Sequence, residues 1–272
     1  PPAGRHRVLA FADPTPAGTG RSLWRSMETS PLRPLPAARK EGRRLLQSYG
    51  NQGLLMEGVD ATETVLKRAS LDDVGLLLFA AHAIVDQQVP RRSAIVLAAG
   101  SPGDSSAGED GLLQPPEISR LRLEGAIVAL SGCQSAAGRA IEGEGLLSLA
   151  RSFFQAGSAA VVGNLWPARD DEAGALFGAL YRNLAEGLPL AAALQRAQQK
   201  LIRSGAPTEA WAGIVVLGDG DARLPSHGQV ESGPGGPAAP GAPHVMAALA
   251  VAAGIAAVVL GVSVRRRLLR RR

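Results

Sequence analysis

AIVALSGCQSAAGRAIEGEGLLSLARSFFQAGSAAVVGNLWP, residues 126–167, is the stretch whose reading decides the fold. The apolar run that begins at Ala126 reads as a buried parallel strand, and it stops at Ser131-Gly132, where small residues let the backbone turn tightly. Cys133 comes next. It is the chain's single cysteine, so it has no partner for an intrachain disulfide and too few companions for a zinc site. Gln134 to Gly138 read as a loop, Gly143-Glu144-Gly145 opens an apolar-periodic helix through Gln155, and Ala159 to Trp166 is a second buried strand closed by Pro167. Strand, loop, helix, strand is a βαβ unit, and open α/β sheets collect ligands outside the carboxyl ends of such strands.

A lone cysteine is most often a small buried hydrophobe. Chemistry is suggested by another apolar strand, Val74 to Ala80 (VGLLLFA), which ends in Ala81-His82-Ala83. His82 precedes Cys133 by 51 residues (133 − 82) and stands at the same kind of place, just past a strand end. Two strand ends on one edge of a parallel sheet can be neighbours, so the imidazole and the thiol can meet without being close in sequence. A histidine about 50 residues before a cysteine is also the caspase spacing.

These blocks resemble a known family. Phe79-Ala80-Ala81-His82-Ala83, Ser131-Gly132-Cys133-Gln134-Ser135, Gly143-Glu144-Gly145 leading into Leu149-Ala150-Arg151-Ser152-Phe153, and Asn164-Leu165-Trp166-Pro167 with Asp170-Asp171-Glu172 are similar to the signature blocks of CHAT domains. These are caspase-like, separase-related cysteine peptidase domains, often beside TPR repeats. The blocks come in the family's order, and the likeness covers most of Arg7 to Leu224. Three positions depart from the pattern. Leu78 stands where many members carry a further histidine, Gln134 where a glutamate is frequent, and Ala83 where classical caspases place glycine. None of the three removes the Cys/His pair.

Outward from this core, Arg7 to Ala12 reads as the first strand and Pro36 to Tyr49 as a helix, with Leu54 to Glu57 a short strand after it. Asp60 is expected to cap a helix over Ala61 to Ala69. Ser93 to Ala99 reads as a strand, and by resemblance the region between the two site strands holds a β-hairpin insert, with Glu117 to Arg120 a short helix. Asp170 to Glu186 and Pro189 to Ser204 follow as helices, and Trp211 to Leu217 as the last strand. Helices alternating with short apolar strands predict an α/β fold, a mostly parallel sheet with helices on both faces; the resemblance makes it caspase-like.

The chain has 272 residues, 46% of them apolar but only 4% aromatic, so leucine, valine and alanine must fill the core. Its formal charge is +5. Six of the positive charges are Arg265, Arg266, Arg267, Arg270, Arg271 and Arg272, which leaves 5 − 6 = −1 for the rest. With no zinc-finger spacing, RNA-binding aromatic motif or phosphate-cradling glycine loop either, no nucleic-acid partner is expected. The domain is expected over residues 1–221, followed by a Pro/Gly-rich linker over 222–244. Val245 to Val264 is uncharged and its 20 residues, at about 1.5 Å each, cross a bilayer core of roughly 30 Å. A single-pass C-terminal transmembrane helix over 245–264 with an Arg-rich tail, 265–272, is therefore expected. The arginines favour a cytoplasmic tail, whereas no export signal precedes the first strand, so the side is left open.

The resemblance implies a cysteine endopeptidase acting through a thioester. Cys133 is the nucleophile, and His82 the candidate to take its proton or to hold an imidazolium beside it. The backbone N–H groups of Cys133 and Ala83 receive the oxyanion. Asp170 or Asp171 is the candidate for a pocket that selects a basic side chain, although an aspartate at a helix start ordinarily caps it. Capping is also the expectation for Glu142 and Glu144. No cofactor and no metal are expected; a protein substrate and an upstream TPR or sensor region are the expected partners. Two other classes stay open: a catalytically silent interaction module at the membrane, and a thiol-dependent acyl hydrolase.

Overall fold

The computed structural model describes residues 7–16, 32–84, 86, 89–100, 109–131, 144–166 and 170–224. In chain order these form β1 (Arg7–Ala12), α1 (Pro36–Tyr49), β2 (Gly53–Glu57), α2 (Glu63–Arg68), β3 (Val74–Ala80), β4 (Ala83–Ile84), β5 (Ala94–Val96) and β6 (Leu112–Leu113). There follow α3 (Pro115–Ile118), β7 (Ile127–Leu130), α4 (Glu144–Gln155), β8 (Ala160–Asn164), α5 (Asp170–Ala185), α6 (Leu190–Arg203) and β9 (Ile214–Gly218). All lie in the first of two contact units, Pro1–Gln229; the second, Val230–Arg272, is outside the described residues.

The main sheet has the order β2-β1-β3-β7-β8-β9. Its first five strands are parallel to their neighbours, and β9 runs antiparallel to β8 at the far edge. Side chains alternate between two cores. Val8, Leu76, Leu78, Ile127 and Val162 pack with Leu45 of α1, Leu176 and Leu180 of α5 and Leu194 of α6. Leu9, Leu77, Val128, Leu130 and Val161 pack on the other face with Leu66 of α2, Ile118 of α3 and Leu149 of α4. Burial on both faces is why the central strands read as unbroken apolar runs and not as alternating ones. The rings of Phe11, Phe79 and Phe153 form a ladder through the second core, with centroids 5.7 and 5.8 Å apart. The expected mixed α/β fold with a mostly parallel sheet is the fold found.

Several local expectations are corrected. Thr62, not Asp60, caps α2: its backbone is extended and its hydroxyl accepts from Val65 N at 3.1 Å, while Asp60 belongs to the preceding 3-10 turn. The strand expected over Ser93 to Ala99 shortens to β5 and lies in a separate antiparallel sheet, β4-β5-β6, which leaves the main sheet directly after His82. The short helix is Pro115–Ile118, since prolines fit a first turn and Glu117 accepts the Gln114 N–H at 2.9 Å. The last strand begins at Ile214, later than expected. Residues 208–210 form a 3-10 turn, and Gly213 lies so close to the Trp166 ring that a Cβ there would stand 2.5 Å from it.

Ala222 to Leu224, expected to open the linker, pack on the domain. The carbonyl of Ala222 accepts the Leu190 N–H at 2.9 Å, meeting a donor at the start of α6, and Leu224 is buried in the first core. No helix among the described residues is long and apolar enough to cross a membrane, and the span expected over 245–264 lies outside them, as does the rest of the linker.

Candidate functional site

The carboxyl ends of β1, β3, β7 and β8 share one edge of the sheet, and each is followed by a buried polar residue: Asp13, His82, Ser131 and, closing β8, Asn164. β3 and β7 are adjacent, paired from Leu76↔Ile127 to Phe79↔Leu130, and the ladder continues in the bond from Ser131 N to Phe79 O at 3.2 Å. The strand that delivers His82 and the strand that leads to Cys133 thus end side by side. Cys133, with Gly132 and the loop to 143, lies outside the described residues.

His82 is 8% exposed. Its Nε2 lies 2.7 Å from the carbonyl oxygen of Arg33. A carbonyl can only accept, so Nε2 carries the proton and Nδ1 is the basic position of the neutral ring. The Arg33 carbonyl is held over the ring by its neighbours. Asp13 accepts from Leu35 N at 2.7 Å and from Arg39 Nε at 2.6 Å, which ties residues 32–35 and the start of α1 to the end of β1. Asp13 itself has a left-handed backbone (φ 45°), one that aspartate tolerates better than most side chains, and its N–H continues the ladder to Ala80 O. After His82 the chain turns into β4. The bond from Val96 N to His82 O makes Ala83 and Ile95 a non-hydrogen-bonded pair, so the Ala83 N–H points away from β5.

Below this edge, Glu41 of α1 is 4% exposed and accepts from Ser131 Oγ at 2.9 Å and from the Tyr181 hydroxyl at 2.7 Å. Burial, and next the charge of Glu41, push the Tyr181 phenol well above its ordinary value, so it stays a donor. Asn164 donates from Nδ2 to the Ser131 carbonyl at 3.2 Å.

Of the predicted site residues, the structure places His82 and Ala83 at this edge. Asp170 and Asp171 open α5 and Glu144 opens α4, but their side chains, like all of Glu142, lie outside the described residues. The positions that sequence reasoning missed are Asp13, Arg33, Arg39, Glu41 and the side chains of Ser131 and Asn164. Glu41 carried a usable signal: it interrupts with a carboxylate the buried stripe Ala38, Gly42, Leu45, Tyr49 of α1. Arg33 carried none, since it acts through its carbonyl.

A further buried carboxylate lies away from this edge. Glu63 of α2, fully buried, accepts from Gly111 N at 3.1 Å and pairs with Lys67, which also pairs with Glu117 at 2.8 Å. Burial pushes its carboxyl up to about 7, against a partial pull down from Lys67. Among the described residues no cluster of three or more histidine, cysteine or acidic side chains is arranged to hold a metal ion.

Against solved structures the chain is similar to the Porphyromonas gingivalis Arg-specific cysteine proteinase gingipain R, with TM-score 0.49 and 11% identity over 80% of this chain and 47% of that one. It is similar to the Drosophila initiator caspase Dronc, with TM-score 0.42 and 9% identity over 81% of this chain and 83% of that one. It is also similar to Saccharomyces cerevisiae separase in complex with securin, with TM-score 0.42 and 17% identity over 78% and 12%. Among curated proteins, mouse tetratricopeptide repeat protein 28 is 35% identical over 118 residues, which is 42% of this chain; the chain spans only 5% of that relative's length. The CHAT domain profile matches residues 1–219 of 272, and the protein therefore belongs to the CHAT domain family.

Proposed function

We propose that the protein is a cysteine endopeptidase in which Cys133 attacks and His82 moves the proton. The observation that carries this reading is the register of the two central strands. Every pair of the β3/β7 ladder is offset by 51 residues (127 − 76, 130 − 79), and 51 is also the separation of His82 and Cys133. The spacing of the two residues in sequence therefore equals the offset of the two strands that lead to them, which supports their acting together at this edge.

In this reading the Sγ proton passes to His82 Nδ1, and the thiolate adds to the scissile carbonyl carbon. The oxyanion is received by the backbone N–H groups of Cys133 and Ala83; the direction of the Ala83 N–H, away from β5, supports its share. Collapse breaks the C–N bond, and the imidazolium returns its proton to the leaving amine. Water, deprotonated by the neutral imidazole, then hydrolyses the thioester and frees the thiol. The bond from Nε2–H to Arg33 O supports Nδ1 as the working nitrogen and steadies the imidazolium in both halves.

Asp170 or Asp171, at the start of α5 beyond β8, selects Arg or Lys before the scissile bond. The domain spans residues 1–221 with the few following residues packed on it, and 245–264 anchors it to a membrane as a single pass. An upstream TPR or sensor region controls it, a reading supported by the repeat protein among its relatives. An irreversible acyloxymethyl ketone with Arg or Lys at its first position tests the proposal. Labelling of the wild type, lost in Cys133→Ala and in His82→Ala, together with cleavage of a matching peptide, is expected. A folded wild type that neither labels nor cleaves would leave a silent module.

A further inference from the structure

The helical layer of α1, α5 and α6 holds a cavity of about 610 Å³ that the reaction proposed above does not use. Its charged lining is Arg44 of α1, Arg182 of α5 and Lys200 of α6, and its apolar wall includes Ala175, Leu201 and Ala206. Among the described residues no carboxylate lines it. Other cations of the same helices do find carboxylates. Arg39 pairs with Asp13 at 2.6 Å, Arg43 with Glu57 at 2.8 Å and Arg196 with Glu186 at 2.8 Å. Arg44, Arg182 and Lys200 make no ion pair among the described residues.

Arg182 and Lys200 stand in the last turns of their helices, where a cation offsets the negative end of the helix dipole. That accounts for two of the three. The last turn of α1 holds no basic residue, so Arg44 has no such role, and the dipole gives no reason for three helices to aim cations at one space. Like charges around a shared cavity repel one another; a compact polyanion removes that repulsion and gains charge-assisted hydrogen bonds. Guanidinium forks match the oxygens of a phosphate, and the volume lies within the range of small-molecule sites, roughly 300–1,000 Å³.

We propose that this cavity binds a small soluble molecule carrying at least two phosphate groups, with Arg44, Arg182 and Lys200 on the phosphate oxygens and the wall of Ala175, Leu201 and Ala206 against the remainder. The site is independent of the peptidase reading and stands or falls without it.

The test melts the full chain, in detergent, with tripolyphosphate as the probe and sulfate at equal ionic strength as the control. The arginines at 265–267 and 270–272 also attract polyanions, but a ligand raises the melting temperature only where it prefers the folded state. At 100 times its Kd the probe should raise the melting temperature on the order of 5–10 °C. Arg44→Ala and Arg182→Ala should each weaken binding on the order of 10-fold. Ala175→Glu sets a carboxylate in the cavity from an exposed helix position and should abolish the shift. No rise in the wild type, or a rise that sulfate reproduces, would overturn the proposal. So would a rise that survives Ala175→Glu, which would place the binding elsewhere on the chain. A larger rise with citrate than with tripolyphosphate would mean a carboxylate site and overturn the phosphate assignment.

Discussion

At the scale of single residues, the site edge is a set of backbone groups aimed by a few side chains. If Cys133 and His82 act as one unit, Cys133→Ala and His82→Ala should each abolish turnover and the double variant should be no worse than either; steady-state assays of all three decide it. Asp13 acts at one remove. Asp13→Ala frees the Leu35 N–H and Arg39, so the Arg33 carbonyl is no longer fixed over His82. If His82 is the base, kcat should fall on the order of 10-fold with KM little changed, because substrate contacts are untouched while the imidazole loses its orientation. An unchanged kcat would mean that residues 32–35 hold the carbonyl without Asp13. Glu63 gives a pH signature away from the site. Its folded value of about 7 lies above the ordinary 4.5, so the stability its proton contributes is full below pH 4.5 and is lost as the pH rises through 7. Melting curves should show the wild type losing stability relative to Glu63→Gln between pH 4.5 and 7.5, and parallel curves would refute the assignment.

At the scale of elements, β3 supports everything else. It lies between β1 and β7, is buried along its whole length, and carries Phe79 between Phe11 and Phe153 three residues before His82. Phe79→Ala removes both ring contacts and opens a cavity under the site, so urea unfolding should show a loss of about 3–5 kcal/mol. A loss below about 1 kcal/mol would mean that the second core collapses around the gap. α1 couples the two faces of the problem: it packs on the sheet where Gly42 leaves no room for a side chain, a Cβ there standing 2.7 Å from Leu55 and 3.1 Å from Ala12. That close approach lets Glu41, one residue earlier, reach the end of β7. Element type and order were legible in the sequence because burial on both faces writes continuous apolar runs for strands and 3.6-residue stripes for helices. The caps were less legible, as Thr62 against Asp60 shows, since two neighbouring side chains could each meet the same free N–H groups and only the backbone angles choose.

At the scale of the whole molecule, we expect Val245 to Val264 to contribute nothing to the catalytic fold. The chain cut after Leu224, which keeps that buried side chain, should be soluble with an unchanged melting temperature, whereas the full chain should need detergent and resist alkaline extraction. Release of the full chain by salt alone would mean that the terminal arginines bind an anionic surface and the helix does not span. The sequence by itself determined the α/β class and the order of strands and helices, and it singled out His82 and Cys133 as the candidates for chemistry. Each of these is written locally, in periodicity or in a rare side chain at the end of an apolar run. Only the tertiary structure decided that Glu41 lies under Ser131 across 90 residues of chain, that Tyr181 joins it across 140, and that a carbonyl 49 residues upstream orients His82. Those contacts depend on which helix packs over which strand end, a choice made by the summed burial of both cores and not by any pattern within the segments that meet.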